Sequence, residues 1–184
     1  CHAIPQDIAS VVLDEVELPP PGPGEIQVRL KACAVNFPDI LMIQGKYQFK
    51  PPLPFAPGGE AAGDVVVVGD GATQHTVGDA VVLALRFGGF AEAINVPAVA
   101  ATPMPASMSY AKAAAFHTAY LTAYVALLPR GHLEAGETLL VHGATGGVGL
   151  AAVALGKLFG ATVIATGGTD EKLAVVLARG ADHV

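Results

Sequence analysis

Apolar and polar positions follow two regimes along the chain, and the change comes near residue 110. Before it, short apolar runs alternate with glycine and proline turns about every ten residues. Residues 11–18 are followed by P-P-P-G-P-G at 19–24, and that punctuation leads into a second run at 25–35. Residues 62–68 read as a strand buried on both faces and closed by Gly69-Asp70-Gly71. Val77-Gly78-Asp79 turns into 80–85, and Gly88-Gly89 turns into 90–96. Runs of this length bounded by turn residues predict β-strands, and their spacing predicts a small barrel or sandwich. From 109 to 128 the pattern becomes helical. The chain then reads strand (138–141), glycine turn, helix, strand (162–166), helix. Residues 181–184 look like the start of a third parallel strand, and Cys1 enters a strand already under way. The expectation is a β-rich domain over 1–115 and the first part of an α/β domain over 116–184, both belonging to a longer polypeptide. No internal repeat or low-complexity tract is visible.

The second half carries the sharper signal. V-H-G-A-T-G-G-V-G-L-A-A at 141–152 places glycines at 143, 146 and 149 between an apolar strand and a helix marked by Val148, Ala152, Leu155 and Phe159, with Gly160 at its end. In a dinucleotide-binding turn one glycine permits the tight turn and one lets the backbone approach a pyrophosphate. The third lets the helix pack on the strand. The pyrophosphate would lie on the free N–H groups of the helix beginning near Gly147, which puts Gly143, Thr145, Gly146, Gly147, Val148 and Gly149 in the candidate cofactor site. The alternative is an ordinary glycine-rich turn packing for its own sake. An NAD site usually places an acid at the end of the second strand, about 20 residues on. Here Gly167, Gly168 and Thr169 stand there, and Lys172 follows in the next helix. Room for a 2′-phosphate beside Gly168, with Lys172 to meet it, favours NADPH. Asp170 and Glu171 suit the helix dipole but weaken that attraction. A solvated lysine is the alternative for Lys172.

Composition narrows the classes. The 184 residues are 52% hydrophobic and 14% charged, so a packed core is expected and disorder is not. A net charge of −6 with no basic run argues against a nucleic-acid partner or an anionic membrane surface. Two cysteines, Cys1 and Cys33, are too few for a disulfide framework and fit a reducing cytoplasm. Cys33 reads as a small core residue. No secretory signal and no membrane span is expected.

Several motifs in order share one likeness: P-G-P-G-E at 21–25, A-V-N-F-P-D at 34–39, Q-G-K-Y at 44–47 and P-G-G-E-A-A-G at 57–63. V-G-D at 77–79, L-T-A-Y at 121–124 and the glycine turn complete the set. Together they resemble the medium-chain dehydrogenase/reductase superfamily, in its zinc-free quinone oxidoreductase (zeta-crystallin-like) branch. The resemblance implies a GroES-like barrel domain followed by part of a Rossmann domain, an active site in the cleft between them, and a homodimer as the full-length parent. It also implies catalytic roles for Asn36 and Tyr47 as cleft donors, with Tyr47 also at the cofactor, a catalytic role for Asp39 or a structural one holding the turn, and a place for Thr122 beside the nicotinamide. Many members carry Tyr two residues after the Asp. Leu41 stands there in this chain and makes the pocket less polar.

Zinc-dependent members place Cys where this chain has Asn36, His where it has Gly59, and Cys or an acid near Thr118. Their four-cysteine structural lobe has no counterpart between Leu85 and Phe90. Histidines 2, 75, 117, 132, 142 and 183 show no metal-ligand spacing. No metal is therefore expected, and the chemistry follows. Hydride addition to a simple ketone makes a strongly basic alkoxide that wants a Lewis acid. A quinone or enone gives a delocalised phenolate or enolate, which hydrogen-bond donors alone can stabilise. The expected activity is metal-free transfer of hydride from NADPH to a small-molecule quinone or conjugated carbonyl. The alternatives are an enoyl- or acryloyl-thioester reductase and a non-catalytic NADPH-binding or structural protein.

Overall fold

The computed structural model describes residues 1–5 and 7–184. The chain divides into two compact units, Cys1–Ala115 and Phe116–Val184.

The first unit is built on one antiparallel sheet. Its strands are β1 (Glu25–Cys33), β2 (Glu60–Val68), β3 (Ala80–Ala84), β4 (Ala93–Pro97) and β5 (Ala101–Pro103), in the order β4-β1-β2-β3-β5. No pairing joins β4 to β5 among the described residues. Alternation sets the faces: Ile26 and Val28 of β1 point inward, and Arg29 lies outward. They pack with Val65, Val81, Leu83 and Val96 to form the sheet's core. Helix α1 (Phe37–Ile43) follows β1, and its Met42 and Ile43 make a second cluster with Cys1 and Phe55. Helix α2 (Tyr110–Ala114) covers Ala62 with Ala113 and Ala114, and its Tyr110 hydroxyl donates to Asp64 on β2.

Three expectations need correction. Residues 11–18 form no strand: a short 3-10 turn (Ile8–Ser10) is followed by unpaired chain up to β1. Both edges of β1 are already taken, by β2 and β4, and the prolines at 19–21 and 23 cannot donate to a ladder. Instead Pro19 is held through its carbonyl by the Gln27 and Asn95 side chains. The strand at 62–68 is not buried on both faces throughout. It begins at Glu60, Asp64 interrupts its apolar run, and Val67 is 39% exposed. The helical stretch 109–128 is not continuous: α2 ends at Ala114, α3 (His117–Val125) starts afresh, and a π-helical turn (Ala126–Arg130) holding Pro129 follows.

The second unit carries a two-stranded parallel sheet, β6 (Thr138–Val141) beside β7 (Thr162–Ala165), connected by α4 (Gly147–Leu158). Helix α5 (Asp170–Ala178) follows β7. A parallel bridge from Ile164 to His183 places the start of a third strand on the far side of β7. Asp182 secures that bridge by accepting from the Val163 N–H at 2.7 Å and from Lys157 Nζ at 2.7 Å. Among the described residues no helix is long and apolar enough to cross a membrane.

Two glycines let α4 sit against the strands it serves. A methyl group on Gly149 would come 2.5 Å from the Gly143 carbonyl oxygen and 2.7 Å from the Ala144 Cα. One on Gly156 would meet Leu139 at 2.7 Å. The obstacle at Gly149 is backbone, which cannot rotate away. Gly149→Ala should therefore destabilise the second unit by about 1–3 kcal/mol or more, read from its denaturant midpoint. Gly147→Ala, whose nearest neighbour is Ala119 at 3.9 Å, is the control and should cost far less. Equal midpoints for the two variants would refute this account of the packing.

Candidate functional site

In the first unit the site grows from the turn where β1 passes into α1. Asn36 is extended (φ −118°, ψ 157°) and caps α1, with Pro38 and Asp39 in the first turn. Proline is tolerated there because its missing N–H would be unpaired in any case. Asp39 is buried, and both its oxygens accept backbone hydrogen bonds. Oδ2 takes the Asn36 N–H at 2.8 Å and Oδ1 takes the Gly58 N–H at 3.0 Å. Asp39 thus ties the start of α1 to the loop entering β2 and acts as a brace.

The Asn36 side chain turns the other way. Its Nδ2 donates to Oε1 of Glu60 at 2.8 Å. Glu60 opens β2 and is 1% exposed. Beside it the Cys33 thiol donates to the Glu60 carbonyl at 2.9 Å. Cys33 is half-buried and sits at the edge of this polar cluster, and is not simply a core side chain. Burial pushes its thiol up from 9.0 to about 11, with the Asp39 and Glu60 carboxylates adding to the shift. At neutral pH it is a thiol and a poor nucleophile.

The other expected residues fall in different surroundings. Tyr47 packs against the apolar cluster of Met42, Ile43 and Phe55, and its backbone N–H donates to the Leu41 carbonyl at 3.2 Å. Its hydroxyl has no hydrogen bond among the described residues. Thr122 is exposed on α3 in the second unit. There Gly143 takes φ +63°, a left-handed conformation that glycine adopts at little cost, and the Ala144 N–H donates to the Thr166 carbonyl at 2.9 Å. Gly146 and Gly147 open α4 with no side chain, and Val148 is exposed in the first turn. Thr145 lies against the position a Gly167 side chain would need, and the space at Gly168 is open. Lys172 is exposed in the first turn of α5, whose cap Thr169 accepts the Lys172 N–H at 3.4 Å. His142 and Thr166, at the ends of β6 and β7, share a hydrogen bond of 3.0 Å.

Glu60 lies inside the P-G-G-E-A-A-G motif, which does not by itself mark it as a site residue. The available signal was a carboxylate set among small apolar residues at the start of a buried strand, which must find donors if it is to stay inside. Gly156 was missed because its need arises only from the approach of α4 to Leu139.

A model of the alcohol dehydrogenase GroES-like domain matches residues 22–106, from the turn before β1 to the loop before α2. The chain belongs to the medium-chain dehydrogenase/reductase superfamily. Within it, the chain is 45% identical over 137 residues to the human synaptic vesicle membrane protein VAT-1 homolog, covering 74% of this chain and 35% of that protein. It is 42% identical over 173 residues to a quinone oxidoreductase-like protein 2 homolog of Nematostella vectensis, covering 93% and 47%. Among solved members, it is similar to the Escherichia coli quinone oxidoreductase complexed with NADPH (TM-score 0.86, 38% identity, 93% of this chain and 52% of that one). It is also similar to the JamJ enoyl reductase (TM-score 0.82, 32% identity, 93% and 54%). The chain spans about half the length, or less, of the curated superfamily relatives it matches.

The Cys33 shift has a consequence for stability. The unfolded chain releases this proton near 9.0, whereas the folded chain holds it to about 11. Across that window the unfolded state binds fewer protons, so stability falls as pH rises. Cys33→Ala should lose less stability than the unsubstituted protein over the same alkaline range, measured by denaturation at a series of pH values. Parallel curves for the two proteins would contradict it.

Proposed function

We propose that the polypeptide carrying this chain is a metal-free reductase that transfers hydride from NADPH to a quinone or a related conjugated carbonyl. The observation that carries the reading is Asn36: a half-buried amide whose Nδ2 is anchored on a buried carboxylate, with a second amide proton that has no partner among the described residues. A donor held in this way can stabilise negative charge developing on a carbonyl oxygen without reorganising. A quinone or enone needs no more than that, because its product anion is delocalised. The donor set speaks against a zinc centre of the superfamily type. Asn36 and Gly59 replace two ligands, and among the described residues no three His, Cys, Asp or Glu side chains converge in a metal-binding group.

The residues of the second unit suit a dinucleotide phosphate. Gly143 makes the turn, and the bare N-terminus of α4 at Gly146 and Gly147 offers backbone N–H groups to a pyrophosphate. Gly168 leaves room at the end of β7, and Lys172 supplies a positive charge one turn into α5. When bound, the nicotinamide supplies the hydride at C4. The chain's own residues bind the phosphates and, at Asn36, receive the charge that arrives on the substrate oxygen. Likeness to a quinone oxidoreductase solved with NADPH supports this assignment. Likeness to an enoyl reductase supports a second reading, in which the acceptor is an α,β-unsaturated thioester.

NADPH oxidation by the full-length protein, followed with a quinone panel and with crotonyl- and acryloyl-thioesters, separates these readings. Quinone turnover is expected. Turnover of thioesters alone would establish the second reading, and no turnover of either class would sink both. Lys172→Ala should weaken NADPH binding by about 1.5–3 kcal/mol and leave NADH binding unchanged, as read by titration. Equal losses for both nucleotides would remove Lys172 from the 2′-phosphate site. Activity should also survive prolonged chelation, with no stoichiometric zinc by elemental analysis. Zinc lost in parallel with activity would overturn the argument from the donor set.

A further inference from the structure

The reading of Asn36 as the oxyanion donor leaves Glu60 without a task in the chemistry, and its position is costly. A carboxylate that is 1% exposed at the start of a strand has been taken out of water and must be held by hydrogen bonds. Glu60 holds the side chain of Asn36 through Nδ2 at 2.8 Å, while its own backbone carbonyl is fixed by the Cys33 thiol at 2.9 Å and the Ala34 N–H at 3.3 Å. We propose that Glu60 is a positioning residue for Asn36, resting on the reading above, and that it selects which face of the amide the substrate meets.

The two ends of a primary amide differ in their hydrogen bonding: one donates and the other accepts. An asparagine side chain rotated by half a turn exchanges a donor for an acceptor at nearly the same place. An amide free to flip would present Oδ1 to the developing oxyanion for part of the time, which is repulsive. A carboxylate accepts only, so Glu60 binds Nδ2 and rejects Oδ1. One amide proton is committed to Glu60, and the other is left as the donor for a substrate oxygen. The backbone of Asn36 is fixed independently. Its N–H donates to Asp39 Oδ2 at 2.8 Å, and its carbonyl accepts from the Asp39 N–H at 3.1 Å. Asp39 therefore sets where residue 36 stands, and Glu60 sets which way its amide faces.

The test is a double-mutant cycle on the full-length protein with NADPH and a turned-over quinone. Glu60→Gln keeps size and shape but replaces an acceptor-only group with one that can pair with either end of the amide. It should lower kcat on the order of tenfold or more, with KM for NADPH unchanged. Asn36→Ala should lower kcat as well. In the Asn36→Ala background Glu60→Gln should have no further effect, because a residue that acts through Asn36 has nothing left to act on. Independent, multiplicative losses would overturn the proposal, as would unchanged kcat in Glu60→Gln. If Asn36→Ala alone leaves kcat unchanged, the donor reading itself fails.

A second measurement does not depend on a Glu60 variant folding. In protein labelled with 15N-asparagine, the Asn36 side-chain amide, identified by its loss in Asn36→Ala, should give two widely separated proton resonances. One belongs to the bond to Glu60 and the other to the free proton. The partial double bond of the amide C–N keeps the two protons distinct in any asparagine, so a separation no larger than that of a solvent-exposed asparagine would refute the proposal. In Glu60→Gln, where it folds, the separation should shrink toward that of a solvent-exposed asparagine.

Discussion

A buried carboxylate must be met by donors, and two such groups organise the first unit where β1 passes into α1 and the loop enters β2. Asp39 and Glu60 are 2% and 1% exposed, and neither could remain there alone. Asp39 draws in the N–H groups of Asn36 and Gly58, which fixes the start of α1 against the loop preceding β2. Glu60 draws in the Asn36 amide, and its carbonyl receives the Cys33 thiol. The extended backbone of Asn36 follows from these placements, and the two carboxylates add to the burial that raises the affinity of Cys33 for its proton. Taking away either carboxylate would remove the burial cost and, with it, the reason the neighbouring groups face inward.

The second unit solves a different problem with fewer side chains. A turn that binds phosphate, as proposed for this one, needs backbone N–H groups free to point at a ligand, so the chain must come close without placing side chains in the way. Gly143 supplies the left-handed turn, and Gly149 and Gly156 let α4 settle on the strands. The fit between α4 and the strands is controlled by what is absent from the chain, and a single added methyl group at Gly149 meets backbone on contact. The two units therefore differ in what substitution does to them. Polar exchanges disturb the first through lost hydrogen bonds, and added carbon atoms disturb the second through overlap.

Much of this was legible in the sequence. The glycine turn was visible because strand, turn and helix stood in register around residues 143, 146 and 149, and the geometry demands glycine at 143, by its positive φ, and at 149, by its contact with backbone. Strands β1, β3, β6 and β7 were visible from apolar runs bounded by turn residues. The strand expected at 11–18 was not there, because an apolar alternation shows only that a segment could pair. Whether an edge is open depends on β4, some seventy residues later in the chain, which occupies the remaining side of β1. The break between α2 and α3 was equally invisible, since the alanines at 113–115 favour helix on either side of it. Among the site residues, Asn36 and Asp39 were legible through their motif. Glu60 was hidden because its significance is a distance, 2.8 Å to a side chain twenty-four residues earlier, and no local pattern encodes that.

The same contrast bears on how a site of the proposed kind would manage without a Lewis acid. A metal ion stabilises an oxyanion by charge and tolerates some imprecision in where the oxygen arrives. A neutral amide offers far less attraction, so its contribution depends on already pointing the right way when charge develops. Orientation has to come from the surroundings, and asparagine is ambiguous because its two ends are nearly the same shape. A buried acceptor-only neighbour removes the ambiguity at the cost of desolvating a charge. On the proposed reading, the burial of Glu60, unfavourable for stability when considered alone, is the physical counterpart of the zinc-ligand types not present at positions 36 and 59: the free energy that a zinc site would invest in holding an ion would be invested in holding an amide still.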